Sequence, residues 1–252
     1  MINNKNQYFK NKVIVITGAG TGYGRELSIA LLSYEANVIL VGRRIKKLQE
    51  TVKLANYSNN AMTVICDITK INQIKNLKKQ IQNRYDNIDI LINCAGIPAH
   101  GNASLSKISE QRWDDMIDTN LKAQWLISRE LFSLMKNKIA RILFFTSGAG
   151  WSDTSGHGLY NISKTALNSL TISMAKEYET LYPSQNISIN AINPGEAKTQ
   201  MNTKSNIKAS IICDMVLKIL STTKNIPNGK FFHRDGKYIR FCDSKEYNYE
   251  LE

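Results

Sequence analysis

Lys12-Val13-Ile14-Val15-Ile16-Thr17-Gly18-Ala19-Gly20-Thr21-Gly22-Tyr23-Gly24 is the stretch that decides how this chain is read. A short β-branched run breaks into glycines, and residues 25–32 that follow carry apolar side chains at helical spacing. Strand, glycine-rich turn and helix together form the setting that a dinucleotide fingerprint requires. Glycines allow a tight turn, let the backbone approach a pyrophosphate, and leave a helix amino terminus facing its charge. Gly18, Gly22 and Gly24 are spaced T-G-x-x-x-G-x-G rather than G-x-G-x-x-G, so in isolation the run reads equally well as a flexible turn. Its setting favours the cofactor reading, with Gly18, Thr21, Gly22, Tyr23 and Gly24 as candidate contacts.

Outward from this turn, strand and helix signals alternate. Residues 37–41 read as a second buried strand, followed by Gly42-Arg43-Arg44. An NAD site usually carries an acidic residue at this strand end for the ribose hydroxyls. None lies between Val38 and Arg44; Glu35 precedes the strand and Glu50 falls within the next helix. Arg43 and Arg44 stand instead where a guanidinium can pair with a ribose phosphate, which favours NADP(H). The plainer reading is two solvated arginines at a helix start, where the helix dipole slightly disfavours cations. Residues 62–68 read as a third strand with Asp67 and Ile68 at its tip, residues 71–84 as a crossover helix, and residues 88–92 as a fourth strand ending in Asn93-Cys94-Ala95-Gly96. This β-α-β-α order predicts a parallel sheet with helices on both faces. With 252 residues and no repeat, linker or low-complexity tract, the chain fits a single domain.

A second cluster lies further on. Ser147 follows the apolar run 142–145, at the carboxyl end of an expected buried strand, and Tyr160 and Lys164 are four apart in a helix expected from about Gly158. A phenol normally titrates near ~10, and a fixed cation within hydrogen-bond range pulls that value down. The spacing alone is weak, because Tyr8 and Lys12 share it.

Taken together, these residues resemble the short-chain dehydrogenase/reductase family over nearly the whole chain. Thr17-Gly18-x-x-x-Gly22-x-Gly24 is similar to its cofactor turn, and Asn93-Cys94-Ala95-Gly96 to its N-N-A-G segment, with Cys94 in place of the second Asn. The stretch 113–121 resembles the helix carrying an active-site Asn, here Asn120; Ser147, Tyr160 and Lys164 resemble the catalytic set; Asn193-Pro194-Gly195 with Thr199 resembles the loop after the sixth strand. The resemblance implies a single-domain, doubly wound Rossmann fold of the α/β class. Its cofactor half would span about residues 10–150 and its catalytic half about 140–243, with a polar tail over 244–252. It implies Tyr160 as acid/base, Lys164 lowering the Tyr160 pKa and holding a ribose, Ser147 orienting the substrate oxygen, and Asn120 supporting a water next to Lys164. It further implies Asp67 and Ile68 at the adenine side, Asn93, Ala95 and Gly96 at the ribose edge, and Pro194, Gly195 and Thr199 at the nicotinamide. Each has an ordinary structural alternative, Asn120 as a helix cap or kink and Asp67 as a turn residue before Thr69 among them. The lid region, 195–228, is short for the family, with one helix around 210–220; residues 229–236 resemble the last strand and its D-G turn, and 237–241 a short returning strand.

Bulk properties bound the remaining classes. No apolar run approaches the ~18 residues of a membrane span, and residues 1–7 are polar, without a secretory h-region. Cys66, Cys94, Cys213 and Cys242 are scattered, so reduced thiols, a cytoplasmic location and no metal site are expected. The net charge of +12 comes from lysines spread along the chain, which suits an anionic cofactor or substrate better than nucleic acid. The expected partners are a small-molecule carbonyl or alcohol substrate and, by resemblance, a second or further copies of the chain, as homodimer or homotetramer through helices over 111–135 and 158–182. Trp151, Asp153, His157, Pro98, His100 and Glu196 are positioned to meet a substrate. The leading function is NADP(H)-dependent hydride exchange, expected in the reductive direction. A non-catalytic NADP-binding sensor or scaffold and a basic interaction protein are the competing classes; a family member of the sensor type usually lacks the Tyr or Lys, and both are present here.

Overall fold

Successive residues of β1 (Val13–Thr17) point to opposite faces of the sheet, and in the computed structural model both faces are covered. Val13 and Val15 enter one apolar cluster, Ile14 and Ile16 the other. The same division recurs in β2 (Asn37–Gly42), β4 (Ile90–Asn93) and β5 (Ile139–Phe145): Ile39, Val41, Leu91, Ile142 and Phe144 pack to one side, Val38, Leu40, Ile90, Ile92, Leu143 and Phe145 to the other. Burial on both faces is why these strands read as continuous apolar runs rather than alternating ones. The structure describes residues 7–56, 59–99, 104–135, 139–150 and 157–239.

With β3 (Ala61–Ile65), β6 (Asn186–Asn193), β7 (Phe231–His233) and β8 (Tyr238–Ile239), the sheet has the order β3-β2-β1-β4-β5-β6-β7-β8. Every pairing is parallel except β7 with β8, the returning strand. Helices α1 (Gly22–Ser33), α2 (Ile45–Ala55) and α7 (Cys213–Ser221) fill one face with Leu27, Leu31, Leu48 and Val216. Helices α3 (Ile71–Gln82), α5 (Ala123–Phe132) and α6 (Gly158–Leu181) fill the other with Ile74, Leu77, Ile127, Leu131, Leu167 and Met174. This is the doubly wound Rossmann fold. Strand order reverses between β1 and β4, the switch point where an open α/β sheet leaves a crevice at its carboxyl edge. Among the described residues, no helix is long and apolar enough to cross a membrane.

Element boundaries depart from the sequence reading where side chains intervene. β3 stops at Ile65 rather than running to residue 68, because Asp67 Oδ1 accepts from the Thr69 amide (3.0 Å) and hydroxyl (2.8 Å) and turns the chain. The helix expected over 111–135 is three pieces: α4 (Glu110–Ile117), a π turn at Asp118–Lys122, and α5, which ends at Phe132. The π turn carries Asn120, fully buried, whose amide makes reciprocal bonds with the Ile97 backbone: Oδ1 accepts from Ile97 N (2.8 Å) and Nδ2 donates to Ile97 O (3.0 Å). The helix expected around 210–220 begins as a 3-10 turn at Ala209–Ile212 and continues as α7. The tail over 244–252 and the end of the returning strand lie outside the described residues.

At the opposite edge from the crevice, Asp89 is 5% exposed and accepts from Lys12 Nζ (2.9 Å) and Val13 N (2.8 Å), joining the entries of β1 and β4. Removing the carboxylate strands a buried amide, whereas Lys12 is partly solvated. Asp89→Ala is expected to lower the unfolding free energy in urea by about 2–4 kcal/mol, and Lys12→Met by under about 1 kcal/mol. Equal losses would show that the ion pair, not the amide, is the main contribution.

Candidate active site

The crevice is built first by what its glycines lack. Gly18 has φ +69°, and a Cβ there would lie 2.9 Å from Ala95 Cα; at Gly24 it would lie 2.5 Å from Gly18 O. Gly22, at φ +54°, faces the Thr199 methyl, 3.2 Å from where its Cβ would be. The Thr17 hydroxyl accepts from the amides of Cys94 and Ala95, 3.0 Å each, holding the ends of β1 and β4 together. Helix α1 starts at this turn with no acidic residue in its first turn and no side-chain cap, so its amino terminus can meet an anion. These residues fit a dinucleotide pyrophosphate. Gly24 N donates to the Cys94 thiol, and burial pushes that thiol up to about 12. The Asn93 side chain turns to Ser128 of α5 (3.0 Å), and its Oδ1 is buried without a partner.

After β2, Arg43 and Arg44 are both exposed. Arg44 donates to Gln200 Oε1 (3.0 Å), so it touches the segment after β6. Ile68 is buried, and Asp67 spends Oδ1 on its turn. A charge cluster that the sequence reading missed lies beside them. Arg25 holds Gly20 O (2.7 Å from Nη2) and Glu50 (3.1 Å), and Lys47 also reaches Glu50 (2.8 Å). Bonds from Lys47 and Arg25 hold the Glu50 carboxyl below the usual range, and this acid is already committed to cations. Only the i, i+3 pair Lys47 and Glu50 is visible from spacing; Arg25 comes from another helix.

Helix α6 and the end of β5 supply the second half. Leu159, Ser163, Lys164, Leu167, Asn168, Thr171, Met174 and Ala175 form the buried face of α6, a 3.6-residue pattern that fixes where Lys164 points. Lys164 is 6% exposed; its Nζ donates to Phe145 O (2.8 Å) and lies 5.6 Å from the centre of the Tyr160 ring. Ser147 stands beside the Tyr160 phenol and accepts from Ala149 N (3.2 Å). A Cβ on Gly96 would stand 3.1 Å from Asn120 Oδ1 and 4.0 Å from Lys164 Nζ, so Gly96 lies close against both side chains. The structure thus brings Asn120, Ser147, Tyr160 and Lys164 around one place, a hydroxyl pair able to hold and pass a proton beside a buried ammonium. One expectation is corrected. The Tyr160 phenol is raised above 10, not lowered, because burial outweighs the Ser147 bond. Lys164 gives its hydrogen bond to a carbonyl, and burial lowers its own value to about 8.

The segment after β6 closes the crevice. Pro194 is buried and Gly195 has φ +63°. Thr199 Oγ1 accepts from the amides of Met201 and Asn202, 3.2 Å each, while Lys198 pairs with Lys208 as an isolated bridge. Tyr23 OH donates to Gly195 O (2.8 Å), and Arg234, another residue the sequence reading missed, donates to Glu196 O (2.6 Å). No local pattern marks Arg234. Of the substrate candidates, His157 precedes α6 with Nδ1 buried and unpartnered, Pro98 O accepts from Arg112 (2.7 Å), and Glu196 is exposed. His100, Trp151 and Asp153 lie outside the described residues.

Comparison with known proteins agrees with this architecture. The short chain dehydrogenase family model matches residues 12–210. A 3-oxoacyl-[acyl-carrier-protein] reductase of Rickettsia bellii is 30% identical over 239 residues, covering 93% of this chain and 90% of that one. An uncharacterized oxidoreductase of Staphylococcus epidermidis is 27% identical over 224 residues, covering 86% and 94%. A short chain dehydrogenase of Shigella flexneri, solved with NADP, superposes with a TM-score of 0.83 at 23% identity over 91% of this chain and 99% of that one. A family match across most of the chain, on a fold with the family's strand order, has one meaning: the chain belongs to the short-chain dehydrogenases, oxidoreductases that use a nicotinamide cofactor.

Proposed function

We propose that this protein is an NADP(H)-dependent oxidoreductase acting on a carbonyl or secondary-alcohol carbon, with Tyr160 as acid/base. The observation that carries the reading is the Tyr160 phenol beside Ser147, with the buried Lys164 Nζ 5.6 Å from its ring centre, set next to a glycine turn that accommodates a pyrophosphate. A nicotinamide bound there supplies or accepts the hydride. In the reductive direction Tyr160 gives its phenolic proton to the developing alkoxide, and Ser147 holds the substrate oxygen by a second hydrogen bond. The Lys164 ammonium would hold the ribose hydroxyls of a bound cofactor. Asn120, on its π turn, holds the Ile97 backbone close to Lys164. The raised phenol suits an acid that must still carry its proton when the carbonyl arrives.

For a bound NADP(H), Arg43 and Arg44 would hold the ribose phosphate and Asp67 and Ile68 would line the adenine side, while Asn93, Ala95 and Gly96 would meet the ribose edge and Pro194, Gly195 and Thr199 the nicotinamide. Glu50 lies within α2, paired with Arg25 and Lys47, and no acidic residue stands between Val38 and Arg44 to accept from a ribose hydroxyl, which supports NADP(H) over NAD(H). The Shigella flexneri neighbour solved with NADP supports the same choice. The substrate is small or anionic, in keeping with a net charge of +12 and with a relative that reduces a carrier-bound oxoacyl group. The chain acts as a single domain in the cytoplasm, as a homodimer or homotetramer. Trp113, Trp125 and Ile162, exposed on α4, α5 and α6, support contact between copies through those helices.

Three outcomes test this reading. With NADPH and a carbonyl panel, followed by absorbance of the reduced nicotinamide, Tyr160→Phe is expected to lower kcat on the order of 10²–10⁴-fold with little change in NADPH affinity. Arg43→Ala should raise the KM for NADPH by roughly tenfold and leave that for NADH unchanged; a wild-type preference for NADH overturns the phosphate assignment. The third concerns pH. Lys164 titrates near 10.5 unfolded and about 8 folded, so between those values the unfolded chain holds the extra proton and folding stability rises with pH. Wild type should gain about 2 kcal/mol relative to Lys164→Met between about pH 7 and pH 9.5 in urea unfolding. Equal pH slopes in the two proteins would contradict a buried, charged Lys164.

A further inference from the structure

We propose that Tyr23 and Arg234 are positioning residues: they grip the carbonyls of the Pro194-Gly195-Glu196 turn and so set which way its amides face. This rests on the nicotinamide reading of that turn. Three consecutive carbonyls are engaged there. Arg234 Nη1 donates to Glu196 O at 2.6 Å and, weakly, to Pro194 O at 3.5 Å, while Tyr23 OH takes Gly195 O at 2.8 Å. The grip is also steric. A Cβ on Gly195 would fall 3.0 Å from Arg234 Cζ, and Gly195 sits at φ +63°, so the bare glycine lets the guanidinium lie directly against the turn.

Each gripping residue is anchored in its own right. The Tyr23 ring packs against Phe145 with centroids 5.9 Å apart, in the first turn of α1. Burial pushes its phenol up to about 12, so it remains an O–H donor across the working pH range and is no second acid/base. Arg234 N donates to Asn193 O (3.1 Å), and Asn193 Oδ1 accepts from Gly195 N (3.0 Å), which fixes the base of the turn.

In a trans peptide the C=O and the next N–H point in opposite directions. Pulling the Gly195 and Glu196 carbonyls toward Tyr23 and Arg234 therefore aims the Glu196 and Ala197 amides the other way. Those two amides have no acceptor among the described residues, although Ala197 is only 2% exposed. A buried donor of that kind calls for a partner, and a carboxamide oxygen supplies one. The first-turn tyrosine and the residue beyond β7 would thus decide, through the turn's amides, how well the nicotinamide end of a cofactor is seated.

The test separates the two ends of the cofactor. Dissociation constants for NADPH and for adenosine 2′,5′-bisphosphate, which lacks the nicotinamide, are measured by calorimetry on wild type, Tyr23→Phe, Arg234→Met and Arg234→Lys. Tyr23→Phe removes one oxygen and keeps the ring packing, so it stays folded if Arg234→Met does not. NADPH binding should weaken roughly three- to tenfold in Tyr23→Phe and Arg234→Met, with the bisphosphate changed less than about twofold, and Arg234→Lys should recover part of the loss. Equal weakening of both ligands assigns the residues to general stability and overturns the inference; no weakening of either does the same. If wild type binds the bisphosphate but gains nothing from the nicotinamide half, the nicotinamide reading itself falls, and this inference with it.

Discussion

The Thr17 hydroxyl and the bare Cα of Gly18 set the constraint on which the site depends. β1 and β4 pair in register up to Thr17 and Asn93, then must part for the crevice to open. Parting leaves the Cys94 and Ala95 amides without a strand partner, and the fully buried Thr17 Oγ1 accepts both. Gly18 turns away at once, over the Ala95 backbone, at a distance no side chain permits. The crevice is therefore as wide as one glycine allows, and α1 starts where a pyrophosphate charge would meet its amino terminus. A residue with a Cβ at 18 would have to push the two strand ends apart, and the hydroxyl bonds oppose that movement.

The same economy of space places the ammonium. Lys164 lies on the buried face of α6, where desolvation disfavours its charge, and among the described residues the Phe145 carbonyl is the acceptor that compensates directly. A stability-optimised helix would carry an apolar residue there. Retaining a lysine at a position that costs folding energy fits functional use better than packing. Tyr160 is under the same pressure in the opposite sense, since burial keeps its proton on. The two groups are thus both held toward neutrality by burial.

Strands were legible because burial on both sheet faces compresses the signal into runs such as Val13 to Ile16, which admit no other reading. The catalytic candidates were legible by order and spacing, since α6 carries Tyr160 and Lys164 on successive turns. What escaped reading is non-local. The π turn at Asp118–Lys122 exists because Asn120 reaches the Ile97 backbone, 23 residues away in sequence, and nothing in the helix's own periodicity announces that. Arg234 reaches Glu196 across 38 residues. The phenol's direction was misread for a related reason: spacing gives proximity along a helix, but whether an ammonium faces a phenol or a strand carbonyl depends on the depth of both, which only packing sets.

Cys94 can be reassessed on these grounds. In place of an amide it offers a sulfur that accepts from Gly24 N, and burial holds its thiol protonated. A thiolate there would compete with a bound phosphate or phenolate for the nearby Lys164 charge; a neutral thiol does not. The exchange of Asn for Cys thus removes two amide donors from the ribose edge but leaves the electrostatics of the Lys164 site intact. Because the Thr17 hydroxyl and the Gly18 contact hold the strand ends by backbone atoms, the geometry of the crevice does not depend on which side chain stands at 94. The substitution is tolerable for that reason, and its effect should fall on cofactor affinity rather than on the alignment of Tyr160.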